Sequence, residues 1–318
     1  MSYLSIEEMK TFLSKSYSSY NLNKLNGLLA EVDFRKYISS LGYEDRISIG
    51  GWIARSIRNN TFGQKVIAIF PEIINPNEAY PIERDLPNPH MGLHTICSTL
   101  HSIGIESYFC SPVIKSDNDF ASISWNAVQL GLPTQQVYSG FPNCFDDTLF
   151  VQRERRYNFL RYNSDVSIIP SYVIPEEFSK EHLRVTFQNK FFAEVSDIDG
   201  IFWGNQNTYP LEIKEKTAGY EKDIGEYFGL DVGPFVKLSS FAALRNGNLN
   251  SIFVVREIDS VENRELVNWW YIPFESIARF ASWVPRSGGT SMTGGGSSVI
   301  RIPKAQFKQL DSNALSKL

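Results

Sequence analysis

The sequence predicts an α/β (α+β) fold, and three observations predict it. Leu22, Leu25, Leu28, Leu29, Val32, Tyr37, Ile38 and Leu41 recur at helical intervals and stop at Gly42, so the chain opens with helices. Residues 184–258 then read as strand, strand, strand, helix, strand. Finally, 42% hydrophobic residues and a formal net charge of -4 over 318 residues describe an ordinary globular chain and exclude disorder as the dominant state. The 21 Gly and 15 Pro show no period and no long heptad run is present, which excludes collagen-like and coiled-coil architectures. A chain of this length makes about two domains and buries roughly three quarters of its unfolded surface, enough to fold without disulfides or a structural metal.

The elements follow in order. After the helical first forty residues, Gln64 to Phe70 reads as a short buried strand leading into a Pro-rich loop over 71–89. A helix is expected near 91–103 and a strand over Ile105 to Cys110. The Gly, Pro, Asn and Asp content of 111–150 predicts mostly loops. Arg184 to Gln188 and 191–203 read as strands joined by an Asn189-Lys190 turn. A second turn at 204–207 leads to a third strand over 208–216, then a helix over Pro234 to Arg245 and a strand over Ser251 to Ile258. The tail carries an aromatic strand at Trp269 to Phe274, a Gly/Ser-rich loop at 287–298 and a strand-like piece at 299–303. Three regions are expected: 1–180, helical and mixed; 181–260, a core; and 261–318, strands and loop completing it.

The polar start has no secretory apolar core, and no stretch reaches the roughly 18 apolar residues of a membrane helix. Cys97, Cys110 and Cys144 are odd in number and irregularly spaced, which suits reduced thiols. A cytoplasmic protein without a membrane partner is the expectation. Mild acidity argues against an overall basic coat but leaves room for a local basic groove.

One hairpin carries the chemistry. Alternation along Val195 to Trp203 puts Asp197 and Asp199 on one strand face, and alternation along Leu211 to Lys216 puts Glu212, Lys214 and Lys216 together. With 204–207 as a four-residue turn, Trp203 pairs with Thr208, Asp199 falls opposite Glu212, and Asp197 falls opposite Lys214. Like charges directly opposed are destabilising, so Asp facing Glu calls for a cation between them. Hard divalent ions such as Mg²⁺ take carboxylate oxygens and phosphate. Lys214 on the same face can orient an attacking water or offset developing charge. An ordinary solvated charged face is the competing reading, and Pro210 bears on the register because it belongs at a strand start, edge or bulge.

At these residues the chain resembles the PD-(D/E)xK nuclease superfamily, the fold of many restriction endonucleases. The resemblance rests on Ser-Asp-Ile-Asp-Gly-Ile-Phe and then Leu-Glu-Ile-Lys-Glu-Lys216, followed by a helix and a strand. It implies a restriction-endonuclease-like core, a mixed central sheet flanked by helices, with a large N-terminal helical and mixed insertion. By position Asp199 resembles the metal-binding Asp, Glu212 the second acidic ligand and Lys214 the catalytic Lys. No Pro precedes the Asp, so Asp197 stays an alternative ligand. Glu31, eleven residues before Gly42, resembles an acid of the family's first core helix; an exposed helix Glu is the alternative.

The segment 151–162 interleaves Arg153, Arg155, Arg156 and Arg161 with Tyr157, Phe159 and Tyr162, either a nucleic-acid contact or an amphipathic connector. Lys216, Lys237, Arg153, Arg155 and Arg156 are the candidate DNA contacts, and Arg245 could join Lys237 on phosphates. The loop 286–298 reads either as a phosphate cradle or as a surface hairpin. His90, His94, Cys97 and His101 line one helix face, but they extend over about 16 Å and cannot close a tetrahedral site alone. The resemblance implies a Mg²⁺-dependent endodeoxyribonuclease acting on double-stranded DNA, most like a type II restriction enzyme. It also implies a homodimer and a cognate DNA methyltransferase in the same system. A repair or junction-resolving nuclease and a non-cutting nucleic-acid-binding protein of the same fold are the alternatives.

Overall fold

The computed structural model describes residues 2–16, 18–56, 66–80, 89, 91–131, 139–140, 143–145, 150, 163–243, 249–290 and 296–318. Its architecture is mixed α+β. The helices are α1 Ile6–Ser14, α2 Leu22–Ser40, α3 Met91–Ser102, α4 Ile174–Lys190, α5 Val232–Ala243, α6 Phe274–Phe280 and α7 Ser312–Lys317. The first strands are β1 Gly51–Ser56, β2 Val66–Pro71, β3 Ile105–Ile114, β4 Ile123–Leu130, β5 Ser139–Gly140, β6 Ala193–Ile198 and β7 Gly200–Trp203. The remainder are β8 Thr208–Lys216, β9 Gly219–Glu221, β10 Gly225–Asp231, β11 Ile252–Ile258, β12 Leu266–Pro273, β13 Arg286–Thr290, β14 Gly296–Pro303 and β15 Lys308–Gln309. Among the described residues no helix is long and apolar enough to cross a membrane.

Two compact units divide the chain. One comprises Met1–Asn21 and Ile49–Ile198, the other Leu22–Ser48 and Asp199–Leu318. The boundary expected at 180 lies inside α4, and that expected at 260 lies in the turn between β11 and β12.

The first unit holds a six-stranded sheet in the order β5-β4-β3-β2-β1-β6, antiparallel except where β2 and β3, joined through α3, run parallel. The expectation of loops over 111–150 is corrected here, because β3 runs on to Ile114 and β4 follows as its antiparallel partner. Ile123, Trp125 and Ala127 of β4 are buried at period two, a signal diluted by the surrounding turn residues. Residues 184–188 are also corrected: they are the last turns of α4, not a strand, and Asn189-Lys190 ends a helix instead of turning a hairpin. Pro175 in the first turn starts α4, where its missing N–H costs nothing. Buried polar groups hide the helix's period. Tyr20 donates to Glu177 at 2.9 Å, Arg184 pairs with Glu181 and stacks 5.6 Å from the Trp52 ring, and Trp52 Nε1 donates to the Lys180 carbonyl at 2.9 Å.

His182 lies at the centre of this helix, in contact with Phe12 and Phe178. Trp125 Nε1–H donates to His182 Nδ1 at 3.0 Å, and Nε2 lies 3.1 Å from the Phe120 carbonyl. An acceptor at Nδ1 and a donor at Nε2 define the neutral ring, since a protonated ring would turn a second donor toward Trp125. Burial pushes its pKa down from 6.5 to about 4, against the opposing pull of the Phe120 carbonyl and Glu181.

The second unit is built on a five-stranded sheet in the order β15-β12-β11-β8-β7 and a four-stranded sheet in the order β13-β14-β10-β9. Alternation sorts the faces of the larger sheet. Leu211, Ile213, Ile252, Val254, Trp269 and Tyr271 pack with Ala30, Phe34 and Ile38 of α2 and with Ala314 and Leu315 of α7. Phe253, Val255 and Ile272 turn the other way, toward Leu238 of α5, Ile277 of α6 and Phe228 and Leu230 of β10. Glu212 and Lys214, out of phase with Leu211 and Ile213, therefore lie on the α5 side.

The neutral-ring requirement of His182 has a measurable consequence. Because its folded pKa lies below the unfolded value, the unfolded chain binds more protons between the two, and stability contributed by the neutral ring is complete above about pH 6.5. It declines as pH falls toward about 4, by roughly 3 kcal/mol in all. Urea titrations followed by tryptophan fluorescence between pH 4 and 7 are expected to show a shallower stability loss in His182→Gln than in the wild type. Equal slopes would exclude this group as the source.

Candidate active site

The chain reaches the site at Asp199, immediately before β7. β7 and β8 are antiparallel, with Trp203 opposite Thr208 and Gly200 opposite Leu211, so one more step puts Asp199 opposite Glu212 as the spacing predicts. Pro210 does not disturb this register. It pairs with Ile201 of β7 but stands one residue before the parallel β8–β11 ladder begins at Leu211, where no amide donor is needed on that side. At Gly204 the turn passes so close to Leu318 that an added Cβ would lie 2.4 Å from its carbonyl carbon, so only glycine fits.

Asp199 and Glu212 are both buried, at 2% and 1% exposure. Asp199 Oδ2 accepts from the Ile213 backbone N–H at 2.7 Å, which aims the carboxylate across the hairpin. Lys214 Nζ lies 2.7 Å from Glu212 Oε1 and 3.6 Å from Asp199 Oδ2, an ammonium shared by the two carboxylates. Lys237 of α5 meets the other Glu212 oxygen at 2.6 Å. Lys216 completes the row; burial chiefly lowers its pKa and Lys214 adds to this, while Asp231 and Glu212 oppose it. The structure thus brings together Asp199, Glu212, Lys214, Lys216 and Lys237.

Other expected residues lie elsewhere. The expected continuous strand 191–203 is broken: Asp197 belongs to β6 of the first unit, where it pairs with Trp52 of β1. Asp199 stands opposite Glu212 within the second unit and shares Lys214 with it. Glu31 is buried, not exposed, on α2, the helix that packs on the sheet face away from Glu212. Among the described residues no group of three or more His, Cys, Asp or Glu is gathered for a metal. His90, Arg153, Arg155, Arg156, Arg161 and Arg245 lie outside the described residues. The thiols of Cys97 and Cys110 are pushed up by burial, Cys97 to about 12, which leaves them poor nucleophiles at neutral pH.

Lys237 was expected on phosphates, and its placement on Glu212 is the contact sequence reasoning missed. Its signal was present: it is the sole charge in the otherwise apolar and polar-neutral helix Val232–Ala243. A lone ammonium on such a helix needs a carboxylate partner when the helix is packed.

The chain matches no family model, no curated protein and no solved structure. The site's chemistry therefore stands on its own geometry. Two buried carboxylates on adjacent strands, already sharing one ammonium, are a hard-oxygen donor pair suited to a small divalent cation.

Asp199→Asn keeps an oxygen for the Ile213 N–H, whereas Asp199→Ala leaves a buried donor unsatisfied at a cost of about 1–3 kcal/mol. Urea denaturation is expected to place Asp199→Ala below Asp199→Asn in stability, and equal midpoints would contradict the hydrogen bond's role. Lys237→Met removes a cation paired with buried Glu212, and a loss of about 2 kcal/mol is expected because Lys214 remains. Adding Glu212→Gln should recover part of that loss in a double-mutant cycle; independent, additive losses would break the coupling.

Proposed function

We propose that this protein is a Mg²⁺-dependent endodeoxyribonuclease with a restriction-endonuclease-like core, hydrolysing phosphodiester bonds in double-stranded DNA as type II restriction enzymes do. The observation that carries the proposal is Lys214 bridging buried Asp199 and Glu212 on one strand pair, backed by α5 and the parallel strand β11. The order of elements in this unit supports it as well. Helix α2 leads to Ile47, which bridges antiparallel to Phe202 of β7, and the chain resumes at Asp199 with β7 and β8, then, after the added strands β9 and β10 of the smaller sheet, α5 and β11. On this reading residues 49–198 are the expected large insertion, and duplex recognition falls to regions outside the catalytic hairpin.

Asp199 and Glu212 would hold Mg²⁺, which supplies Lewis-acid stabilisation of charge on the phosphate. The chain's own groups do the rest. The Ile213 N–H fixes the direction of Asp199, and Lys237 fixes Glu212 from the side of α5. Lys214, 29% exposed and so within reach of substrate, orients the attacking water in line with the scissile bond and offsets the charge that develops at phosphorus. Lys216 adds positive charge along the same strand face for the DNA backbone. A homodimer matching a palindromic site, a cytoplasmic setting and a partner DNA methyltransferase belong to the same proposal.

Incubation with plasmid DNA in Mg²⁺ is expected to give discrete fragments that EDTA abolishes. Glu212→Ala and Lys214→Ala are each expected to lower the rate at least 100-fold, by analogy with loss of a single charge-stabilising group, while circular dichroism shows a folded chain. No cutting of any linear, plasmid or branched duplex would sink the proposal. Cutting confined to branched DNA would select the junction-resolving alternative.

A further inference from the structure

Basic charge is unevenly placed in the second unit. From Glu275 to Asp311 there is no intervening Asp or Glu, yet Arg279, Arg286, Arg301, Lys304 and Lys308 lie between them, in a chain of net charge -4. Arg301 is neutralised by Glu221 at 2.7 Å and Lys304 by Glu257 at 2.6 Å and Glu226 at 3.2 Å. Arg279 and Arg286 are exposed and pair with no carboxylate among the described residues. Between them Trp283 is 89% exposed, Val284 62% and Phe280 41%. A tryptophan so exposed between two uncompensated arginines covers no core of its own, and its indole contributes nothing visible to folding.

We infer that Arg279–Arg286 is a duplex-DNA-contacting surface, with Arg279 and Arg286 on phosphates and Trp283 stacked on, or wedged between, bases. The charge pattern selects the occupant: Arg279, lying over the Phe280 ring at 5.9 Å, and Arg286 flank an exposed indole with no Asp or Glu in the sequence between Glu275 and Asp311, a match for the polyanion and π-faces of nucleic acid rather than for a basic partner. The surface hangs from the elements that carry the site. Phe274 of α6 packs 5.5 Å from Phe235 of α5, the helix whose Lys237 reaches Glu212. Arg286 of β13 pairs with Val299 of β14, which pairs with Asp231 at the end of β10, and Asp231 acts electrostatically on Lys216. Two strand spacings, about 10 Å, separate Arg286 from Asp231 along that path.

The inference rests on the proposed nuclease reading, so binding and cutting are measured apart. Fluorescence anisotropy of a labelled linear duplex is followed in EDTA, where cleavage is not expected, against increasing NaCl. Trp283→Ala is expected to weaken binding about 10-fold and Trp283→Phe to restore most of it, in keeping with loss of one stacking platform. Arg279→Ala with Arg286→Ala should lower the salt slope by about 2, close to 0.9 per lost phosphate contact. Wild-type affinity and slope in these variants would overturn the inference, whatever the plasmid assay returns. Trp283-dependent binding without any cleavage in Mg²⁺ would uphold it and remove the nuclease reading instead. A Trp283→Ala variant that turns a dimer into a monomer by sedimentation, with DNA affinity unchanged, would reassign the surface to a second copy of the chain.

Discussion

The second unit depends on one constraint: a carboxylate, Glu212, at 1% exposure in the middle of a sheet. An isolated buried charge costs several kcal/mol, so the surrounding structure must supply cations and hold them in place. Lys214 comes from the same strand two residues on, and Lys237 comes from α5. The first is a consequence of strand alternation alone. The second ties the helix to the sheet at a defined height, and the apolar contacts of Leu238 with Phe253 and Val255 then fill in around it. Well-packed apolar residues could occupy such positions at no loss of stability. Their replacement by charged groups is the kind of local rule-breaking that functional sites display.

Asp199 has a different support. Its oxygen is held by a backbone amide, that of Ile213, which no side-chain substitution elsewhere would remove. The two carboxylates are therefore anchored by unlike means, one by the hairpin's own backbone and one by a helix. That division matters for the proposed chemistry, because the geometry between the ligands follows from a strand register while the position of the cations follows from helix packing.

How much was legible divides along the same line. The hairpin register was readable because side-chain period two and a four-residue turn leave one pairing, and Pro210 falls just before the β8–β11 ladder, where its missing donor is tolerated. The strands at 208–216 and 252–258 and the intervening helix were readable for their apolar periodicity. Helix α4 was not, since Arg184 to Gln188 alternates like a strand while its polar side chains are buried in pairs with Glu181, Trp52 and Tyr20's partner Glu177. Nor was the break at Asp199. Nothing in Val195 to Trp203 announces that Ile198 ends a strand in one unit while Gly200 begins one in the other.

The sequence by itself determined that Asp199 faces Glu212 and that Lys214 lies on their side, because both follow from local alternation across a short turn. Only the tertiary structure decided where the strand breaks, by assigning Asp197 to a strand beside Trp52. It also decided that Lys237 meets Glu212 while Glu31 rides on the helix of the other face, because α5 and α2 cover opposite faces of the same sheet. Which helix covers which face is settled by long-range packing, and no spacing within a single segment encodes it.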